Sequence, residues 1–100
     1  MRAYSVDIKK SPNKQKKLRA IFKNKEGKII KQTDFGLKGA SDFTIHKNKE
    51  RRARYRKRHR KDLDTKDFKR AGYLSFYVLW GNSSNLDEAI KDYKIRFKLK

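Results

Sequence analysis

The sequence contains no cysteine, a single proline and no apolar run approaching 20 residues. Without cysteine, the chain can form neither a disulfide framework nor a cysteine-based zinc site. Without a long apolar run it has no candidate transmembrane helix, and its first ten residues lack the apolar block of a secretory signal peptide. These absences fit a protein of a reducing compartment with no membrane span.

Residue patterns that support catalysis are also scarce. There is no serine or glycine-rich motif, and His46 and His59 lack metal-like spacing to a third ligand. Asp62, Asp64 and Asp67 form the one acidic cluster; magnesium binding of the nuclease type is conceivable there, but helix capping explains them more simply. The sequence therefore predicts a protein that is not an enzyme and has no cofactor.

Positive charge dominates what is present. The chain carries 30 lysines and arginines against 11 acids, a formal net charge of +19 in 100 residues. Self-repulsion on this scale opposes folding and favours an anionic partner, namely nucleic acid, acidic lipid or an acidic protein. The segment 46–61, "HKNKERRARYRKRHRK", holds ten of the bases and one acid, whereas residues 62–100 are nearly balanced. The search for a binding site therefore centres on residues 46–61.

The N-terminal part predicts a small antiparallel sheet of two or three strands within residues 2–40. Apolar residues alternate over residues 4–8, which is typical of a strand with one buried face. Segments 18–22 and 28–33 flank a turn that contains Gly27, the pattern of a β-hairpin.

Three helices are predicted to follow. A basic helix covers about residues 44–61, an apolar helix about 66–80, and an amphipathic helix about 85–97. Gly81 stands where a left-handed C-terminal cap of the apolar helix is expected. The whole chain, residues 1–100, is predicted to be a single α+β domain.

The basic helix would be poorly stable without an anion. Like charges repeat at i, i+4 along it, and each such pair costs roughly 0.2–0.5 kcal/mol. Six of its ten bases are arginines, whose fork of N–H donors matches phosphate oxygens. The predicted phosphate-binding residues are Lys47, Lys49, Arg51, Arg52, Arg54, Arg56, Lys57, Arg58, Arg60 and Lys61, with Lys25 and Lys28 of the hairpin in support.

Other interpretations of these segments stay open. A charge run can be a plain solvated face, and a nuclear-import signal would fit within it. Tyr55 could stack on a base or anchor the helix to the core, and Asn48 and Arg51 could read base edges. The aromatic cluster of the apolar helix could be core, a stacking surface for single strands, or a protein contact: Tyr73, Phe76, Tyr77 and Trp80.

The motifs "SDFTIHKNKER", "RH" at 58–59 and "LWG" at 79–81 give the chain a family resemblance. Over roughly residues 4–97 it resembles a family of small basic, largely uncharacterised proteins of nucleocytoplasmic large DNA viruses, the giant-virus relatives. The resemblance implies a viral setting, in the virion and in the host cytoplasm, viral factory or nucleus. A large DNA genome must be condensed inside a capsid, which suits a small basic protein.

Charge and resemblance together predict a non-enzymatic, virion-associated protein that neutralises nucleic-acid phosphates with little sequence dependence, DNA being favoured over RNA. The competing hypothesis is a structural virion protein, such as a minor capsid or cement component. In that case the basic helix docks on acidic proteins, and the aromatic helix contacts other virion proteins.

Overall fold

The computed structural model of the protein describes residues 2–100, in which three strands precede the helices. The strands are β1 (Ser5–Lys10), β2 (Lys16–Lys23) and β3 (Ile29–Leu37). They form one antiparallel sheet in the order β1-β2-β3. The predicted α+β class, an N-terminal antiparallel sheet followed by helices, is confirmed.

One face of the sheet carries the hydrophobic core. Val6 pairs with Phe22 across β1 and β2, and Leu18 pairs with Phe35 across β2 and β3. Since side chains alternate along a strand, these apolar residues project to one side. Val6, Phe22 and Phe35 are at most 1% exposed, so this face is the floor of the core.

The helices cover that face. They are α1 (Phe43–His46), α2 (Lys49–His59), a 3₁₀ helix (Arg60–Thr65), α3 (Ala71–Leu74), which continues as a π-helical turn (Ser75–Leu79), and α4 (Leu86–Arg96). Leu74 and Val78 from the apolar helix (residues 71–79) and Tyr93 from α4 join the sheet residues in the core. Among residues 2–100, no helix has the length and apolarity needed to cross a bilayer.

The basic segment differs from the single helix expected over residues 44–61. Lys47 has φ 56° and donates its N–H to the carbonyl of Phe43, which ends α1 after one turn. Asn48 then caps α2 by accepting hydrogen bonds from the N–H groups of Glu50 and Arg51. Two adjacent residues thus stop one helix and start the next.

The apolar helix also differs from its expected bounds of 66–80, because it begins at Ala71. Lys66 has φ 54° and closes the preceding 3₁₀ helix instead of starting a new one. The predicted left-handed cap at Gly81 is wrong, since Gly81 is absent from the residues with positive φ. Gly81 is required for another reason: a Cβ there would lie 2.0 Å from the carbonyl oxygen of Tyr77.

Candidate nucleic-acid interface

The basic helix α2 has two faces with different surroundings. Four side chains on the side toward the apolar helix are partly buried, and they are called the inner face: Arg52, Tyr55, Arg56 and His59. Their spacing of three and four residues places them on one side of the helix. The remaining bases of the segment are exposed and are described below as the outer face.

Aromatic stacking holds the inner face to the apolar helix. The ring of Tyr55 lies parallel to that of Trp80, with centroids 4.2 Å apart and planes 6° from each other. His59 stacks on the opposite side of Tyr55 at 4.1 Å, and its Nδ1 lies 3.0 Å from Asp62 Oδ2. Burial raises the pKa of the Tyr55 phenol. Tyr55 therefore has the contacts of an anchor.

Arg56 binds the C-terminal end of the apolar helix. In the π-helical turn the N–H of Trp80 donates to Ser75, so the carbonyl of Phe76 does not receive it as it would in an α-helix. Arg56 Nη1 donates to the carbonyl of Trp80 at 2.9 Å and approaches that of Phe76 at 3.5 Å. Its guanidinium also lies 4.2 Å from the Phe76 ring centroid. Burial, followed by repulsion from Arg52, lowers the pKa of Arg56.

Arg52 makes a similar inward contact one turn earlier. Its Nη1 donates to the carbonyl of Gly81 at 3.2 Å, and its guanidinium lies 4.9 Å from the Phe43 ring centroid. Its Nε is buried and has no hydrogen-bond partner among the described residues. Cations at the last carbonyls of a helix complement the helix dipole. Two predicted phosphate ligands, Arg52 and Arg56, are thus used to fasten α2 to the protein.

The outer face keeps the other eight bases of the segment. Arg51, Arg54 and Arg58 recur at i, i+3 and i+7, which forms a stripe opposite the inner face. In the described chain, residues 2–100, none of the eight forms an ion pair. The outer face is the name for all eight exposed bases of the segment: Lys47, just before α2; Lys49, Arg51, Arg54, Lys57 and Arg58 in α2; and Arg60 and Lys61, just after it.

Asn48 is unsuited to reading bases as it stands. The side-chain oxygen of Asn48 is engaged in capping α2, and its backbone N–H donates to His46 Nδ1 at 2.9 Å. The His46 ring packs near Trp80, with centroids 5.2 Å apart, and burial lowers the pKa of His46. Asn48 is exposed, but its side-chain oxygen is already used within the protein.

The hairpin lysines do not join the basic helix. Lys16 and Lys17, at the start of β2, line a cleft of about 420 Å³ together with Tyr55 and His59, so α2 lies at that end of the sheet. Lys25 and Lys28 lie past the other end of β2. Seven residues separate the two ends, or about 23 Å at the rise of a strand. The fold brings Lys16 and Lys17 near α2, which no local pattern in the sequence indicates, and the Lys17 ammonium is paired with Asp42 at 2.6 Å.

Both histidines and two of the three aspartates noted in the sequence make local contacts, whereas Asp64 is exposed. Asp62 pairs with His59, and Asp67 pairs with Lys69 and Arg70 at 3.1 and 3.6 Å. Within residues 2–100, no group of three acidic or histidine side chains is arranged to hold a metal ion.

The aromatic cluster of the apolar helix is mostly internal. Phe76 is 1% and Tyr73 is 9% exposed, and the Tyr73 hydroxyl donates to the carbonyl of Leu63 at 2.7 Å. Tyr77 and Trp80 are partly covered, and Arg96 lies 4.7 Å from the Tyr77 ring centroid. These rings act in packing the helices together.

The inward role of Arg56 gives a stability prediction. Arg56→Gln removes a charge-assisted hydrogen bond and a cation–π contact, so we expect the free energy of unfolding to fall by about 1–2 kcal/mol. The matched control is Arg58→Gln, two residues away on the outer face, for which we expect no loss or a slight gain. Urea unfolding of both variants measures the difference. Equal values would contradict the inward role.

A family model matches part of the chain. The model of a family described as a family of unknown function, DUF5754, matches residues 6–59, which is more than half of the chain and covers all of the sheet except Ser5, together with α2. No curated protein and no solved structure matches the sequence significantly.

Proposed function

The chain belongs to the DUF5754 family of unknown function, and we propose that it binds nucleic acid through the outer face of α2. The observation that carries the proposal is the set of eight exposed bases without a carboxylate partner in the described chain. Unrelieved like charges are costly, and an array of phosphates relieves all of them together. The proposal includes no catalytic step.

A second feature supports the proposal, namely the fixed orientation of the helix. Stacking of Tyr55 on Trp80 and donation from Arg52 and Arg56 to backbone carbonyls hold α2 on the apolar helix. A surface that is already ordered loses little conformational entropy on binding. The eleven residues of α2 span about 16 Å, which is enough to follow several phosphates along one strand.

Binding is proposed to be largely independent of base sequence. Specific contacts in the major groove typically use Asn or Gln as well as Arg, and Asn48 is occupied as a helix cap. Contacts from lysine and arginine to phosphates position a protein on nucleic acid without reading its sequence. The proposed preference for DNA over RNA, and the role in a virion, rest on the resemblance of the sequence to viral proteins alone.

Binding over a salt series tests the proposal. Fluorescence anisotropy with duplex DNA, single-stranded DNA and duplex RNA of equal length should give a log K that falls linearly with log salt. If five to eight outer-face bases meet phosphates of duplex DNA, the slope should be roughly −4.5 to −7. Duplexes of different sequence should bind alike.

The competing function, docking on acidic virion proteins, is tested in the same experiment with polyglutamate as competitor. Duplex DNA carries one negative charge per about 1.7 Å of its axis and releases condensed counterions on binding, so we expect it to bind more tightly than polyglutamate of equal charge. A slope near zero on DNA, or tighter binding of polyglutamate, would replace the nucleic-acid proposal with the protein-docking one.

A further inference from the structure

A second basic surface lies at the hairpin end of the sheet. Arg2, Lys25 and Lys98 line a concavity of about 380 Å³ together with Ala3 and Tyr4. All three bases are exposed, Tyr4 is 42% exposed, and no carboxylate is among the lining residues. None of the three forms an ion pair within residues 2–100. These three bases are called the hairpin-end surface.

Three separate segments of the fold build this surface. The N–H of Tyr4 donates to the carbonyl of Lys23, which places residues 2–4 beside the β2–β3 turn that carries Lys25. Lys100 donates to the carbonyl of Tyr4, and its own carbonyl accepts from Val6, which brings the segment after α4 to the same place. The concavity is therefore produced by tertiary structure.

The backbone at Lys98 places this residue at the concavity. Lys98 has φ 56°, in the left-handed region that lysine seldom adopts. This is the conformation of a residue that ends a helix, as Lys47 ends α1 and Lys66 ends the 3₁₀ helix. Here the left-handed residue turns the chain from α4 toward β1 and places a cation beside Lys25 and Arg2.

The hairpin-end surface and the outer face of α2 lie at opposite ends of the sheet. The α2 end is marked by Lys16 and Lys17, and the other end by Lys23 and the turn after it. The length of β2 alone separates these ends by about 23 Å, and the molecule measures 41 Å along its longest axis. Each surface can therefore face a different ligand.

We propose that the hairpin-end surface binds the phosphates of a second nucleic-acid duplex, so that one molecule bridges two duplexes. This inference rests on the proposed binding of the first duplex by α2. Three phosphate contacts give a salt slope of only about −2.7, so the second contact is weak alone. It becomes effective when the first duplex holds the protein at high local concentration.

A capture experiment tests bridging. One duplex is fixed to beads, and a fluorescent duplex of unrelated sequence is added with the full-length protein at low salt. We expect protein-dependent capture of the labelled duplex. The triple variant Arg2→Gln, Lys25→Gln, Lys98→Gln should reduce capture about tenfold or more, while its affinity for a single short duplex changes by no more than about threefold.

The matched control removes three exposed charges elsewhere: Lys9→Gln, Lys10→Gln, Lys91→Gln. We expect this variant to capture the second duplex as the wild type does. Circular dichroism melting of both variants checks that each is folded at the assay temperature.

The outcomes separate the two proposals. If the wild type binds one duplex but captures no second one, or if the triple variant captures as well as the wild type, bridging by this surface is overturned and α2 binding stands. The second of these results would point to bridging by self-association. If the wild type binds no duplex at all, the proposed function itself fails.

Discussion

Replacing Arg51, Arg54, Arg58 and Lys61 with glutamine is expected to weaken binding to duplex DNA by about 10³-fold at 0.1 M salt. Each phosphate contact releases about 0.9 counterion, so four lost contacts flatten the slope of log K against log salt by about 3.6. All four side chains are exposed on the outer face. Anisotropy titrations of variant and wild type from 50 to 200 mM salt measure both quantities.

The same quadruple variant should not lose stability. Arg54 and Arg58 are an i, i+4 pair of like charge, and removing such a pair gains roughly 0.2–0.5 kcal/mol. Loss of affinity together with equal or greater stability in urea unfolding would separate a binding surface from a structural one. The inner-face variant Arg56→Gln is expected to do the opposite to stability.

A second quadruple variant controls for net charge: Lys9→Gln, Lys10→Gln, Lys31→Gln, Lys91→Gln. Each of these lysines is exposed on a strand or on α4, away from α2 in the sequence. Because the loss of charge is equal, only a local contact explains a larger effect at α2. Equal weakening by both variants, or wild-type affinity of the α2 variant, would contradict the assignment of the outer face.

Trp80→Ala is expected to lower the free energy of unfolding by about 2–4 kcal/mol. Truncation of a fully buried large aromatic costs about 3–5 kcal/mol, and Trp80 is only partly covered. Its ring nevertheless supplies the parallel stack with Tyr55 and a contact with His46. A loss of this size is a large fraction of the stability of a small domain.

The effect of Trp80→Ala should be local as well as global. In hydrogen-exchange measurements, backbone amides throughout α2 are expected to exchange faster. Amides of β2 should still exchange only through global unfolding, so their protection should match the lowered free energy of unfolding. Phe68→Ala is the control, since Phe68 is a partly buried ring whose aromatic contacts are with Phe97 at 5.0 Å and Phe22 at 6.1 Å. Loss of α2 protection to the same extent in both variants would show that the aromatic stack does not hold the basic helix.

The regular elements of the fold were accessible from the sequence. The alternation over residues 4–8 and the turn at Gly27 describe β1 and the β2–β3 hairpin, since φ at Gly27 is 86°. Likewise the amphipathic helix predicted over about residues 85–97 is α4, which Asn85 caps by accepting from the N–H of Glu88. Each signal is local, because the residues that fix the element are those that form it.

The sequence did not reveal which bases of α2 hold the helix to the protein and which are exposed. Arg52 and Arg54 are equivalent in the composition of the segment. Only the position of the apolar helix determines that Arg52 is partly buried and Arg54 is exposed. A partial signal existed: Arg52, Tyr55, Arg56 and His59 lie on one helical face, and Tyr55 marked that face as the buried one. No local pattern in the sequence indicates that Lys25 lies far from α2. Their separation depends on the register of the sheet and on the end of the sheet at which the chain continues into α1.

The contacts by which arginine holds α2 to the protein determine which substitutions the basic segment tolerates. Arg56 donates from Nη1 to the carbonyl of Trp80 while its planar group covers the Phe76 ring, and a lysine ammonium cannot reproduce both contacts. On the outer face a lysine keeps the positive charge but loses the bidentate phosphate contact, so the exchange there should weaken binding without lowering stability. We therefore expect lysine to be better tolerated by the fold at Arg54 and Arg58 than at Arg56, although all three positions hold arginine in this chain.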